Sequence, residues 1–155
     1  MENPNFAGVI VRPGFLYGSS GSYTSYYFNI VEQEKIIIKG NPEKRWSFIH
    51  FADLAEGYIK IAECPIKVIE KEIFHFGDYT NASVNDIIEK LKRITEKNEA
   101  TLYMDRENDF WGFCCECDCV LDCRKANNLL EWRPRNNFYE GLEKYYKSWK
   151  ASKKN

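Results

Sequence analysis

Apolar positions along the chain follow two alternating patterns. Gly8-Val9-Ile10-Val11 is an unbroken apolar run, as in a strand buried on both faces of a parallel sheet, and Pro13-Gly14 ends it. Ile36-Ile37-Ile38 predicts a second strand, closed by Gly40-Asn41-Pro42 as a turn. Residues 72–77 and 101–104 predict two more. Between them lie helical spacings. Behind Ser83 as cap, Val84, Ile87, Ile88, Leu91 and Ile94 recur at three and four residues. Phe138, Leu142, Tyr145, Tyr146 and Trp149 share one face of a final helix. Asp122 is placed to cap a short helix through Leu130, which Arg133-Pro134 stops. Residues 23–31 are aromatic-rich and leave helix and irregular structure both open, and residues 108–112 read as a loop.

Residues 45–63 organise the rest. Trp46-Ser47-Phe48-Ile49-His50-Phe51 is a run of β-rich types without a breaker. Asp53 with Glu56 three places on makes a capping-box pattern, so Asp53 is expected to cap the following helix. Leu54, Tyr58, Ile61 and Ala62 form its predicted apolar stripe, and Pro65 forbids continuation past Cys64. Strands alternating with helices point to the α/β class. There is no internal repeat, no low-complexity tract and no dividing linker.

Composition narrows this reading. A chain of 155 residues is expected to be one domain, and 44% apolar content supports a real core. A net charge of −1 gives no electrostatic case for nucleic acid or a membrane surface. No apolar run approaches the ~20 residues that span a bilayer. Met1-Glu2-Asn3-Pro4 has no basic or apolar leader features, so a cytoplasmic, reducing setting is expected, with the six cysteines as thiols.

Three segments together carry a resemblance. Phe48-Ile49-His50-Phe51-Ala52-Asp53-Leu54-Ala55 resembles the F-I-H-V-x-D-L-A segment of the extended short-chain dehydrogenase/reductases, the NAD-dependent epimerase/dehydratase family. Val11-Arg12-Pro13-Gly14-Phe15-Leu16-Tyr17-Gly18 resembles its V-R-P-x-x-V-Y-G. Asp122-Cys123-Arg124-Lys125-Ala126, then Leu130-Glu131-Trp132-Arg133-Pro134, resembles its D-x-S-K-A and L-G-W-x-P. The resemblance covers nearly the whole chain but only the C-terminal half of such an enzyme. It implies an α/β fold: the C-terminal part of a doubly wound Rossmann-type sheet plus the small mixed α/β substrate lobe. Residues 1–155 would then be a single partial domain. Its last Rossmann strands would lie near 7–12 and 73–77, and its substrate-lobe elements near 14–50 and 98–136.

The family's remaining chemistry has no counterpart here. None of the nine glycines forms the glycine-rich turn that brings backbone N–H groups to a pyrophosphate; the nearest pair, Gly18 and Gly21, opens no clear helix. The catalytic Tyr-x-x-x-Lys pair has one literal match, Tyr146 with Lys150. Ten tyrosines give roughly one such match by chance, and Tyr146 lies on an apolar stripe, so no catalytic residue is assigned. The chain alone is expected not to turn over. Its open apolar sheet edge calls for an N-terminal half or a homo-oligomer partner.

By resemblance, Pro13, Gly14, Phe15 and Leu16 match the segment that passes beside the nicotinamide of NAD or NADP, and Arg45 and Trp46 match the substrate-binding position for a small molecule. Two departures bear on that substrate. Phe15 stands where sugar-nucleotide epimerases usually carry Asn, and Trp46 where they carry an arginine for the diphosphate; both remove polar groups suited to phosphate. Arg45 is adjacent but on the opposite face of a strand. His50 and Asp53 read as structural, as does His75. Cys114, Cys115, Cys117, Cys119 and Cys123 crowd into ten residues, yet lack the paired C-x-x-C spacing of zinc sites, so no metal is assigned. The alternatives are a non-catalytic remnant or protein-interaction module of the same fold, and a thiol-based metal binder.

Overall fold

A computed structural model describes residues 8–18, 24–39, 41–97, 102–105 and 117–153. Several features singled out in the sequence lie outside these: residues 1–4, Gly21, Gly40, Thr101, residues 108–112, Cys114 and Cys115. The described elements run β1 (Ile10–Pro13), β2 (Phe15–Tyr17), α1 (Thr24–Val31), β3 (Ile36–Lys39), β4 (Arg45–Trp46), β5 (Phe48–His50) and α2 (Phe51–Glu63). They continue with α3 (Ile66–Ile69), β6 (Ile73–Phe76), β7 (Ala82–Ser83), α4 (Val84–Ile94), β8 (Leu102–Asp105), α5 (Arg124–Leu129) and α6 (Phe138–Ser152). Mixed α/β is the class, as expected.

Strands pair in twos among the described residues. β1 lies parallel to β6, β2 to β5 and β3 to β8, while β4 and β7 are antiparallel. The two apolar runs at the ends of the first half thus meet, Val11 opposite Phe74 and Pro13 opposite Phe76. Parallel pairing needs a crossover, and the chain between β1 and β6 supplies it through α2.

The stretch read as one strand over Trp46 to Phe51 is two. It breaks at Ser47, whose N–H donates to the Cys119 carbonyl at 2.9 Å while its own carbonyl accepts from Phe15 N–H at 2.9 Å. Partners change there, from β7 to β2, so no single ladder spans the run. Helix α2 also starts earlier than its Asp53 signal. His50 is the N-cap, its Nδ1 accepting from Ala52 N–H at 3.2 Å. Asp53 sits inside the first turn and is buried; a distant partner claims its carboxylate. The predicted stripe is likewise displaced: Leu54 and Ile61 are half-buried, but Tyr58 and Ala62 are exposed. Past Cys64 the helix stops, as Pro65 requires.

Other signals translate directly. Ser83 and Asp86 form a reciprocal capping box at α4, and Val84, Ile87, Ile88 and Leu91 are buried. Asn137 caps α6, accepting from Tyr139 and Glu140 N–H. At α5 the expected Asp122 cap is replaced: Cys123 is the N-cap and makes no side-chain cap bond, while Asp122 Oδ1 accepts from Arg124 N–H two positions on. Residues 23–31, left open by the sequence, are helical from Thr24, with Tyr27, Phe28 and Val31 buried.

Two apolar clusters hold these elements. One joins Tyr17, Phe28, Trp46, Phe48, Ile88, Phe138 and Tyr146, with Phe48 stacked on Phe138 at 3.9 Å between ring centroids. The other joins Ile49, Phe74, Phe76, Ala126, Leu130 and Trp132. Each fully buried aromatic or Leu/Ile side chain contributes about 1.5–3 kcal/mol. β5 feeds both clusters, Phe48 into the first and Ile49 into the second, as alternation along a strand dictates.

Candidate functional site

Ser47 is the hub on which the sequence-predicted site residues converge. It is buried, and its Oγ donates to Asn81 Oδ1 at 2.8 Å and accepts from Leu121 N–H at 2.9 Å. These bonds tie β4–β5 to the loop before β7 and to the segment before α5. Sequence reasoning passed over Ser47, Asn81 and Leu121; a small polar residue inside an aromatic strand run was the available signal.

Gly14 lies against this hub. Its N–H donates to Phe76 O at 2.8 Å, and a side chain there would meet the Ser47 carbonyl oxygen at 2.5 Å. Only glycine lets the β1–β2 corner approach β5 so closely. Phe15 follows, half-buried, its ring 4.8 Å from Trp46 and 6.0 Å from Phe48. The structure thus brings Phe15 and Trp46 together as an aromatic wall. Pro13 and Leu16 stay exposed. Arg45 faces away from Trp46: its Nη1 donates to Asn81 O at 3.1 Å and pairs with Asp86 Oδ2 at 3.2 Å. Asp86 is held below the usual carboxylate range by the Ser83 N–H, then by the Ser83 hydroxyl and Arg45.

Behind the wall is a second set of polar groups. His50 Nε2 is 2.8 Å from Tyr145 Oη, and its ring lies edge-on to Tyr17 at 5.2 Å. Burial pushes His50 below the ordinary imidazole value, against a smaller upward pull from Asp53. Tyr17 Oη is buried without a hydrogen-bond partner among the described residues, and burial raises its pKa strongly. Gly18, at φ 116°, packs against the His50 ring, where a side chain would meet Nε2 at 2.6 Å. Asp78 is buried and accepts from Thr80 N–H, Thr80 Oγ1 and Phe138 N–H. Burial raises its pKa, and those three donors oppose the rise. Asp78 thereby ties the end of β6 to the first residue of α6. Asp78 did not stand out in the sequence, because no motif surrounds it, and Tyr145 read only as part of the apolar face of the final helix.

The Tyr-x-x-x-Lys match is occupied otherwise. Tyr146 Oη donates to Glu32 Oε1, and Lys150 Nζ lies 3.3 Å from the same phenol oxygen. Burial, then the Glu32 carboxylate, raises the phenol's pKa, the reverse of what proton transfer near neutrality requires. Among the described thiols, Cys117 and Cys119 are exposed, and Cys123 is buried with its Sγ 3.7 Å from Gly77 O. Burial pushes Cys123 up to about 11. No group of three metal-capable side chains occurs among the described residues, and no helix there is long and apolar enough to cross a membrane.

No family model matches the chain. It is similar to a UDP-glucuronate 4-epimerase of Thermodesulfobacterium geofontis strain OPF15, with 28% identity over 143 residues, covering 87% of this chain and 41% of that protein. Among solved structures, it superposes on UDP-glucuronic acid 4-epimerase from Bacillus cereus, in complex with a fluorinated UDP-glucuronic acid and NAD, with TM-score 0.76 and 26% identity. That match covers 93% of this chain and 45% of the other. It also superposes on UDP-glucose 4-epimerase from Thermotoga maritima with UDP-glucose, with TM-score 0.74 and 19% identity, over 93% of this chain and 46% of that one. At that identity the likeness shows the fold alone. The chain spans less than half the length of each relative.

Proposed function

We infer, from a chain that resembles the C-terminal half of the extended short-chain dehydrogenase/reductases, the NAD-dependent epimerase/dehydratase family, that it forms the substrate-side portion of an NAD(P)-dependent enzyme. Such an enzyme would interconvert a hydroxyl and a carbonyl on a small molecule, within an epimerisation, dehydration or reduction. The carrying observation is that the sequence and the fold both resemble UDP-glucuronic acid 4-epimerases. A UDP-linked sugar is therefore the first substrate class to test. On this reading residues 1–155 are one partial domain, in which strands near 7–12 and 73–77 end the cofactor-side sheet and lobe elements come from near 14–50 and 98–136.

The residues available to a nicotinamide ring are Pro13 and Leu16, both exposed and apolar; Gly14 and Phe15 are held by Ser47 and Trp46. Bound NAD supplies the hydride acceptor. The chain's own residues orient the substrate and exclude water: the half-buried Phe15, backed by the fully buried Trp46, offers an apolar wall, and Arg45 is paired with Asp86. With no glycine-rich turn and no proton-transfer tyrosine of its own, this chain does not turn over alone.

A second reading, a non-catalytic interaction module of the same fold, is favoured by the exposed apolar side chains Tyr58 and Ile59 on α2. One experiment separates the two. The native polypeptide is isolated from its own cells with an antibody against α6, and its mass and its binding of UDP-glucuronic acid and NAD are measured. A product about twice the mass of this chain that binds both ligands is the expected result. A product at this chain's own mass, indifferent to both, rejects the catalytic reading and leaves the module.

A further inference from the structure

His50 stands where β5, α2 and α6 meet, and both nitrogens of its ring are in use. Nδ1 accepts from the Ala52 N–H at 3.2 Å, so the last residue of β5 caps the first turn of α2. An accepting ring nitrogen carries no proton, so in the neutral imidazole the proton sits on Nε2. Nε2–H therefore donates to Tyr145 Oη of α6 at 2.8 Å. Tyr17, Phe51 and Gly18 pack round the ring and fix its pose.

A second proton changes the two bonds unequally. It goes to Nδ1, the nitrogen with the lone pair, and turns the acceptor of the Ala52 N–H into a donor facing it. The cap is lost, and the imidazolium then opposes the positive end of the α2 dipole. Nε2 keeps its proton in both states, so the bond to Tyr145 survives. The charged groups facing the ring pull in opposite directions. Asp53 of α2 favours the imidazolium and Lys144 of α6 opposes it; Tyr17 of β2 and Tyr145 of α6 also touch it. Burial outweighs the pull of Asp53 and keeps the ring neutral until pH falls below the ordinary imidazole range. Nor does Asp53 take over the cap, because Asn136 engages both its oxygens. The side chains that cap α4 and α6, Ser83 and Asn137, do not titrate.

We propose that His50 is a proton-operated latch: protonation releases the first turn of α2 from β5 while the ring stays fastened to α6 through Tyr145. The turn that opens carries Phe51, 45% exposed, and the Asp53 anchor. Acid thus loosens α2 at one end. A general loss of stability would instead open the caps of α2 and α4 together.

The test follows single residues in the 155-residue chain. Above the imidazole range, the proton–nitrogen correlation pattern of the His50 ring is expected to be that of the Nε2–H form. Amide exchange is then measured down through the ring's titration, each rate divided by its intrinsic value at that pH. Protection at Ala52 is expected to fall at least about fivefold as the ring gains its proton, the worth of an N-cap. Protection at Asp86, whose N–H is capped by Ser83 in α4, stays. His50→Asn, which keeps an oxygen where Nδ1 stood, removes the pH dependence at Ala52. His50→Gln, which reaches Tyr145 but not Ala52, leaves Ala52 unprotected throughout. An Nδ1–H pattern above the imidazole range, protection at Ala52 indifferent to pH, or a fall there matched at Asp86 each overturns the proposal. If a variant fails to fold, those same readings on the parent chain decide. None of them depends on binding of NAD or a UDP-linked sugar, so the latch and the catalytic reading stand or fall separately.

Discussion

Asp53 holds Asn136 at two points: Oδ2 accepts from the Asn136 backbone N–H at 3.0 Å, and Oδ1 from its side-chain amide at 2.9 Å. The Asp53 carbonyl also accepts from the buried Trp132 indole at 2.9 Å. One residue in the first turn of α2 thus anchors the whole approach to α6. Hydrogen bonds to a buried charged group contribute about 1.5–3 kcal/mol. Asp53→Ala is expected to lose at least that much in denaturant unfolding, and Asn136→Ala less, because its backbone N–H remains. Equal stability of Asp53→Ala and the parent chain would refute this anchor.

Gly14→Ala tests what the glycine that follows Arg12-Pro13 is for. A methyl group there is driven into the Ser47 carbonyl, so overpacking of about 1–3 kcal/mol is expected. The loss appears as a lowered Tm with no dinucleotide present. If Tm held and only dinucleotide affinity fell, the glycine would serve the ligand instead.

His50 makes stability depend on pH in a stated direction. Burial lowers its folded pKa below the unfolded value near 6.5. Between those two values the unfolded chain binds more protons, so this contribution is present above pH ~6.5 and is lost as pH falls through the folded pKa. His50→Asn keeps an N-cap acceptor for α2 and removes the titration. The stability difference between parent and variant should shrink or change sign from pH 7.5 down to the folded pKa. A difference flat with pH would exclude His50 as the source.

Thiol labelling should divide the cysteines by burial. Cys117 and Cys119 are exposed, whereas Cys123 is buried and pushed up to about 11, which leaves almost no thiolate at pH 8. Cys123→Ser is expected to leave the count of rapidly labelled thiols unchanged, and to lower by one the count obtained in denaturant. A lower rapid count in the variant would place Cys123 at the surface.

Legibility followed the range of the interactions involved. The α4 and α6 helices announce themselves because the apolar stripe, and for α4 the Ser83 cap, lie within one local stretch of chain. Residues 23–31 stayed ambiguous because their aromatic side chains suit either state, and packing of Phe28 against Tyr146 and Trp149 decides for helix. At the site, the Phe15–Trp46 contact joins two segments that the resemblance singled out separately. Ser47 and Asn81 escaped notice because they are partners across 34 residues, and Asp78 because the contact that ties it to α6 spans 60.

The sequence by itself determined the class, the longer helices α2, α4 and α6, the apolar strands β1, β3 and β6, and the likeness to half of a larger enzyme, since these rest on periodicity, local caps and short motifs. Only the tertiary structure decided which residue caps α2. Asp53 has the better local pattern, but Asn136 offers its carboxylate two donors in a buried setting, and His50 takes the cap in its place. The same holds for Arg45, whose choice between a ligand and Asp86 depends on where β7 sets α4. Local chemistry proposes the partners a side chain could have; the packing of distant segments selects among them, because desolvation makes each buried bond costly to leave unmade.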